Sequence, residues 1–278
     1  MSSTFSDANA FGAYLLPVFG LVVYFLFTAI RNKSWISAGL LAFFLVLLLV
    51  CLRWTYSRSS WIGFLVILFV IVLLDRRKVL FLGALFLIFI FIFLPSLNKV
   101  RNLYLLNNIY TAPKIGQNAF PTFINYYFNI PNLIKQGGSE RYFFWKKAVS
   151  IIRSSPVYGT GLNTYSRIIM RNPDRTTWWY AHNCYLQLAA ETGLAGLACF
   201  LWMLFVLLRH GLNYCKQIKD WWPLAILQGS VSGLFGFLVQ SFFDNTFYTV
   251  QLGVLMWLIF GLMVAVIRLP AGRECIVD

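Results

Sequence analysis

Residues Ser139–Gly196, SERYFFWKKAVSIIRSSPVYGTGLNTYSRIIMRNPDRTTWWYAHNCYLQLAAETGLAG, decide how the chain is read, because here a basic, aromatic-rich polar segment leads into an apolar helix. The chain on either side is of a different kind. Hydropathy marks apolar runs at 11–30, 35–52, 61–74, 79–95, 185–208, 224–242 and 248–267, most of them near the ~20 residues that carry a helix across a bilayer. The expected fold is an all-α membrane protein of about seven transmembrane helices, with a large outer loop containing an amphipathic helix between helices four and five. Residues 1–95 hold four helices, 96–184 form the loop, and 185–278 hold three helices and a short tail.

Composition agrees. Apolar residues make up 59% of the 278 positions and charged ones 12%, which excludes an ordinary soluble domain. Five cysteines show no C-x-x-C pair and no ligand spacing, so neither a disulfide framework nor a metal site is expected. The N-terminus carries no basic region ahead of its first apolar run, so that run reads as a spanning helix and not a cleaved signal.

Charge sets the orientation. Arg31, Lys33, Arg76, Arg77, Lys78, Arg209, Lys216, Lys219, Arg268 and Arg273 all fall on one face of the helix count, which the positive-inside rule assigns to the cytoplasm. The N-terminus and the large loop then lie outside. That outer face carries thirteen further cations, among them Arg53, Arg58, Arg141, Lys146, Lys147 and Arg153, against four carboxylates, Asp7, Glu140, Asp174 and Asp244. Attraction to anionic headgroups accounts for Lys146 and Lys147. A pocket for a diphosphate on a lipid carrier is the sharper reading of the rest.

Within the loop, the first half, 96–138, is turn-rich and is expected to be irregular. An interfacial helix is expected over 139–155: Ser139 as its cap, Glu140 on its N-terminal dipole, Arg141, Trp145, Ala148 and Ile152 on one face, and a stop at Pro156. Gly159 and Gly161 then permit a tight turn or a close backbone approach. Gly229-x-x-x-Gly233 in the sixth helix is a packing signal.

The candidate chemistry sits outside the membrane. Arg58, in Thr55-Tyr-Ser-Arg-Ser-Ser60 at a helix mouth, lies where charge is functional by default. His182 stands where the loop re-enters the membrane, and a neutral imidazole there can accept a proton. A Cys184–His182 dyad is rejected, since side chains two apart on a helix diverge. Metal catalysis fits poorly because His182 has no ligand at i+3 or i+4. Glu191 reads as a polar-network residue, and Trp178, Trp179 and Tyr180 as an interfacial belt.

Phe5-Ser-Asp-Ala-Asn-Ala-Phe-Gly-Ala-Tyr-Leu, Tyr56-Ser-Arg-Ser-Ser-Trp-Ile-Gly, Arg141-x3-Trp145-x2-Ala148 with Pro156-x2-Gly159-x-Gly161, and Ala181-His-Asn-x-Tyr-Leu-Gln-x3-Glu-x-Gly together resemble the O-antigen ligase family in order and spacing. The resemblance implies a bacterial inner-membrane glycosyltransferase that moves a glycan from undecaprenyl diphosphate to lipid A-core on the periplasmic side, without cofactor or nucleic acid. By the same resemblance Arg58 and Arg141 hold the diphosphate and His182 activates the acceptor hydroxyl. Asn183, Trp145, Gly159 and Gly161, in the same motifs, are expected to bind substrate. Members of the family have about twelve helices, so about five more are expected ahead of the first helix here. An O-antigen polymerase and a protein O-oligosaccharyltransferase share this chemistry. A lipid-carrier transporter and an inactive fragment are the alternatives of another class.

Overall fold

The structure is a computed structural model that describes residues 8–75, 83, 85, 86, 130–169 and 180–269, with backbone alone for 130–140. Among these residues the secondary structure is helical throughout: α1 (Ala8–Arg31), α2 (Trp35–Trp54), α3 (Arg58–Leu74), α4 (Ile130–Ser154), α5 (Tyr165–Ile169), α6 (Cys184–Tyr214), α7 (Trp221–Gln240) and α8 (Val250–Ile267), with a 3-10 turn at Thr246–Tyr248. Five of them, α1, α2, α6, α7 and α8, are long and apolar enough to cross a membrane. The apolar helix α3 has 17 residues and spans about 26 Å at 1.5 Å per residue, slightly less than a ~30 Å hydrocarbon layer. Of the expected fourth helix, 79–95, residues 83, 85 and 86 are described and are helical, while 96–129 of the half-loop expected to be irregular lie outside the described residues and its end, 130–138, is helical.

Small residues set how closely the helices approach. The α7 motif Gly229-x-x-x-Gly233 packs on α1, and a Cβ added at Gly233 would stand 2.6 Å from Pro17 Cα, one added at Gly229 2.8 Å from Leu21 Cα. Gly63 of α3 meets Gly236 in the same way, where an added Cβ would lie 2.7 Å from the Gly236 carbonyl oxygen. Two cores form on these seams. Leu16, Phe19 and Val23 pack with Leu52, Phe64 and Ile67, while Leu227, Val231 and Phe237 pack with Leu252, Ile259 and Met263. By contrast α2 turns Trp35, Ile36, Leu40, Phe43 and Trp54 outward, with Ile36 83% exposed. An apolar face of that kind suits lipid.

The termini sort into two ends. At one, a Cβ on Gly12 of α1 would meet Ser57 and Ser60 of α3, Gln240 Nε2 of α7 donates to the Asn9 carbonyl at 3.5 Å, and Cys184 N of α6 donates to the Ser241 carbonyl at 3.0 Å. At the other, the Tyr214 hydroxyl donates to the Leu269 carbonyl, and Gly211 of α6 packs on Leu227 of α7 and Met263 of α8. Arg31 and Arg209, near the ends of α1 and α6, and Lys33, Lys216 and Arg268, just beyond helix ends, stand at this second end.

Two elements differ from expectation. The loop helix begins at Ile130, not at 139, so Ser139 is an interior residue and not its cap. Glycine costs only about 1 kcal/mol in a helix and keeps its N–H, so the helix runs on through Gly137 and Gly138. The second difference is in α6, which kinks at Gly193 (φ 73°, ψ 175°). That backbone conformation is essentially confined to glycine, and a neighbouring turn occupies the space it opens.

Candidate functional site

The site is built where the Pro156–Asn163 turn and the Tyr180–Asn183 turn both dock on the first three turns of α6. Pro156 ends α4, and its carbonyl accepts from Leu194 N at 2.7 Å, just beyond the kink. Gly161 N donates to the Glu191 carbonyl at 2.8 Å, and Thr160 N to the Ala190 carbonyl at 3.2 Å. Gly159 (φ 68°) and Gly161 (φ 105°) are both left-handed, and a Cβ on Gly159 would run into the backbone of Glu191 and Gly193. Thus Gly159 and Gly161 serve backbone docking in this structure. Ala148, Ile151, Tyr165, Ala181 and Ala190 form a small core beneath the joint, and the Tyr165 hydroxyl ties it to α4 by donating to the Phe144 carbonyl at 2.8 Å.

Glu191 is the buried polar centre, 1% exposed. Its carboxylate accepts from Asn163 N at 2.8 Å, Tyr165 N at 3.2 Å, the Tyr248 hydroxyl at 2.9 Å and Gln187 Nε2 at 3.2 Å. Burial first, and the Glu191 carboxylate second, push the Tyr165 and Tyr248 hydroxyls far above the usual tyrosine range. Both therefore remain protonated donors.

His182 occupies a left-handed backbone position, φ 48°, uncommon for a residue with a side chain. Asn183, buried, caps α6 by accepting from Tyr185 N and Leu186 N, each at 3.0 Å. Its structural role is therefore the cap. The His182 side chain is 42% exposed, and its Nδ1 stands 3.6 Å from Asp244 Oδ1. That separation is too long for a hydrogen bond. The imidazole also lies 5.9 Å, centroid to centroid, from the Phe144 ring.

Phe144 places the α4 face beside His182. Along that face Arg141 is half-buried, Phe144, Ala148 and Ile151 are buried, and Trp145 is half-buried, the stripe expected from 3.6-residue periodicity. Trp145 Nε1 is a buried donor with no partner among the described residues.

Arg58 opens α3 and is exposed. The neighbouring hydroxyls explain the serine-rich motif locally: Ser57 Oγ caps the helix from Ser60 N at 3.4 Å, Ser60 Oγ donates to Ser57 Oγ at 2.9 Å, and Ser57 and Ser59 Oγ lie 3.1 Å apart. These serines are occupied with one another, which leaves the guanidinium as the outward-facing group. The structure therefore brings His182 and the Arg141 face together. Arg58 stands at the same end of the bundle, and its link to them runs through the ends of α1 and α7.

Cys184 is fully buried, its Sγ donating to the Asp244 carbonyl at 3.2 Å and 3.4 Å from Thr246 Oγ1. It packs the start of α6 against the turn after α7. Sequence reasoning missed Asp244 and Asn245 as neighbours of His182. The available signal was two adjacent polar residues in a five-residue connection between apolar runs.

A sequence model of the family described as O-Antigen ligase matches residues 43–201, which include Arg58, Arg141 and His182. No curated protein matches the chain.

Proposed function

Because this chain belongs to the O-antigen ligase family, whose members are glycosyltransferase-type enzymes, we propose that it moves a glycan from undecaprenyl diphosphate to the sugar of lipid A-core at the periplasmic face of the bacterial inner membrane. The observation that carries this reading is the half-exposed imidazole of His182, held in a left-handed turn against Asp244 and beside the face of α4 that bears Arg141.

In the proposed reaction His182 takes the proton of the acceptor hydroxyl, whose oxygen attacks the anomeric carbon. The bond from that carbon to the diphosphate oxygen breaks, and the electron pair leaves with the carrier. Negative charge grows on the leaving diphosphate. Arg58 and Arg141 offer planar guanidinium donors for it, each charge-assisted bond contributing ~1.5–3 kcal/mol. Asp244 faces Nδ1, which leaves Nε2 for the hydroxyl. A single displacement inverts the anomeric centre. Trp145 Nε1, a buried donor on the Arg141 face with no partner among the described residues, suits a sugar or phosphate oxygen of the same donor lipid.

The cation-bearing end with Arg31, Lys33, Arg209, Lys216 and Arg268 faces the cytoplasm in this proposal, supported by the positive-inside rule. Arg58→Ala, Arg141→Ala and His182→Ala are each expected to lower transfer by ~10²-fold or more at unchanged membrane abundance. Normal ligation by all three variants would refute the assignment. Complementation of ligase-, polymerase- and protein-glycosylation-deficient hosts, with the labelled acceptor identified, tests the lipid A-core assignment.

A further inference from the structure

The hydrogen bonds around Glu191 have a direction, and the direction reaches His182. A carboxylate has acceptor positions only, and all four groups aimed at Glu191 are donors. Gln187 must therefore present its Nε2 to Glu191, which turns its Oε1 the other way. That oxygen accepts from Ala181 N at 3.0 Å and from Asn245 Nδ2 at 2.7 Å. Asn245, with its amide nitrogen so committed, turns Oδ1 to Asn183 N at 3.1 Å. The peptide N–H groups on both sides of His182 are thus held by one relay that begins at a buried charge. The residue preceding Asn245 is Asp244, whose Oδ1 accepts from Asn245 N at 2.8 Å and faces His182 at 3.6 Å.

The geometry points to Glu191 as a positioning residue: acting through Gln187 and Asn245, it sets the left-handed conformation of His182 and the approach of Asp244. A neutral amide at 191 could present two acceptor lone pairs on one atom and a donor on the other, so it would face donors with a donor and leave the two following amides free to flip. The same carboxylate anchors the 156–165 turn through Asn163 and Tyr165. Glu191 consequently registers the helix carrying Arg141 against the turn carrying His182. The inference rests on the proposed function only for its kinetic consequence.

Glu191→Gln, Gln187→Ala and the swap Gln187→Glu/Glu191→Gln would be compared with the wild-type full chain in nanodiscs, by hydrogen exchange of segments 180–187, 243–248 and 156–165 and by transfer kinetics. Glu191→Gln is expected to speed exchange of 180–187 and 243–248 by about tenfold or more, and to lower kcat about tenfold with the donor KM within about twofold. Gln187→Ala, which spares the contacts to Asn163, Tyr165 and Tyr248, is expected to speed 180–187 and leave 156–165 unchanged. The swap puts an acceptor-only carboxylate where the Gln187 amide oxygen accepts from Ala181 N and Asn245 Nδ2, and returns the exchange of 180–187 toward wild type. Wild-type exchange of 180–187 in both single variants would overturn the inference. If exchange responds as stated while the wild-type protein transfers no glycan, the proposed function fails and the relay stands.

Discussion

Gly193→Ala would test the joint on which the site is built. At φ 73° and ψ 175° an alanine is strained by about 1–3 kcal/mol. Its Cβ would also strike the Val157 carbonyl of the docked turn, so the 2.7 Å bond from Leu194 N to the Pro156 carbonyl is lost or stretched, a further 0.5–1.5 kcal/mol or about that. The sum is about 1.5–4.5 kcal/mol of unfolding free energy. Reversible denaturation in mixed micelles measures it, and hydrogen exchange of 156–161 shows whether the turn has lifted. Gly261→Ala is the control, since a Cβ there meets nothing within 4 Å and alanine favours a helix by up to about 1 kcal/mol. If Gly193→Ala changes stability by less than about 0.5 kcal/mol and 156–161 exchange as in the wild type, the docking of the turn into the kink is not what shapes this site.

Gly233→Val should cost about 1–3 kcal/mol by overpacking, because its Cβ would stand 2.6 Å from Pro17 Cα; unchanged denaturation in mixed micelles would contradict the α1–α7 seam. Asp244→Asn should lower transfer at least about tenfold at normal abundance, whereas full activity would remove Asp244 from any role at His182. Arg58→Lys should recover less than about a tenth of wild-type transfer, since an ammonium lacks the planar fork; full rescue would mean that charge alone suffices. The Tyr165 and Tyr248 hydroxyls are pushed up on folding, by burial and then by Glu191, while in the unfolded chain they ionise near pH 10 or about that. Their protonated form thus favours the fold fully below that pH, and the contribution is lost as pH rises toward the folded values. Thermal midpoints in nanodiscs should fall above about pH 10, and less steeply in Tyr165→Phe/Tyr248→Phe; equal slopes would contradict the burial of these groups.

What could be read from residues alone was what short-range physics controls. Apolar runs of bilayer length became the helices α1, α2, α6, α7 and α8, because in lipid a segment must satisfy its own backbone. Ser57 begins α3 through its own side chain, α4 stops before Pro156, and Arg141, Trp145 and Ala148 share a face, each a matter of a few neighbouring residues. The early start of α4 was hidden because glycines weaken a helix without forbidding it.

Tertiary structure decided what the motifs are for. Gly159 and Gly193 lie 34 positions apart in the chain, and nothing local to either shows that one turn fills the kink of the other. Asp244 meets His182 across 62 positions, as Asn245 meets Asn183, and Glu191 collects four donors from three segments, 163–165, its own helix and Tyr248. Such partners are chosen by which helix ends close on one another. That choice depends on the packing of α1, α6 and α7 along their lengths, which hydropathy leaves open because every apolar face in a membrane chain looks alike.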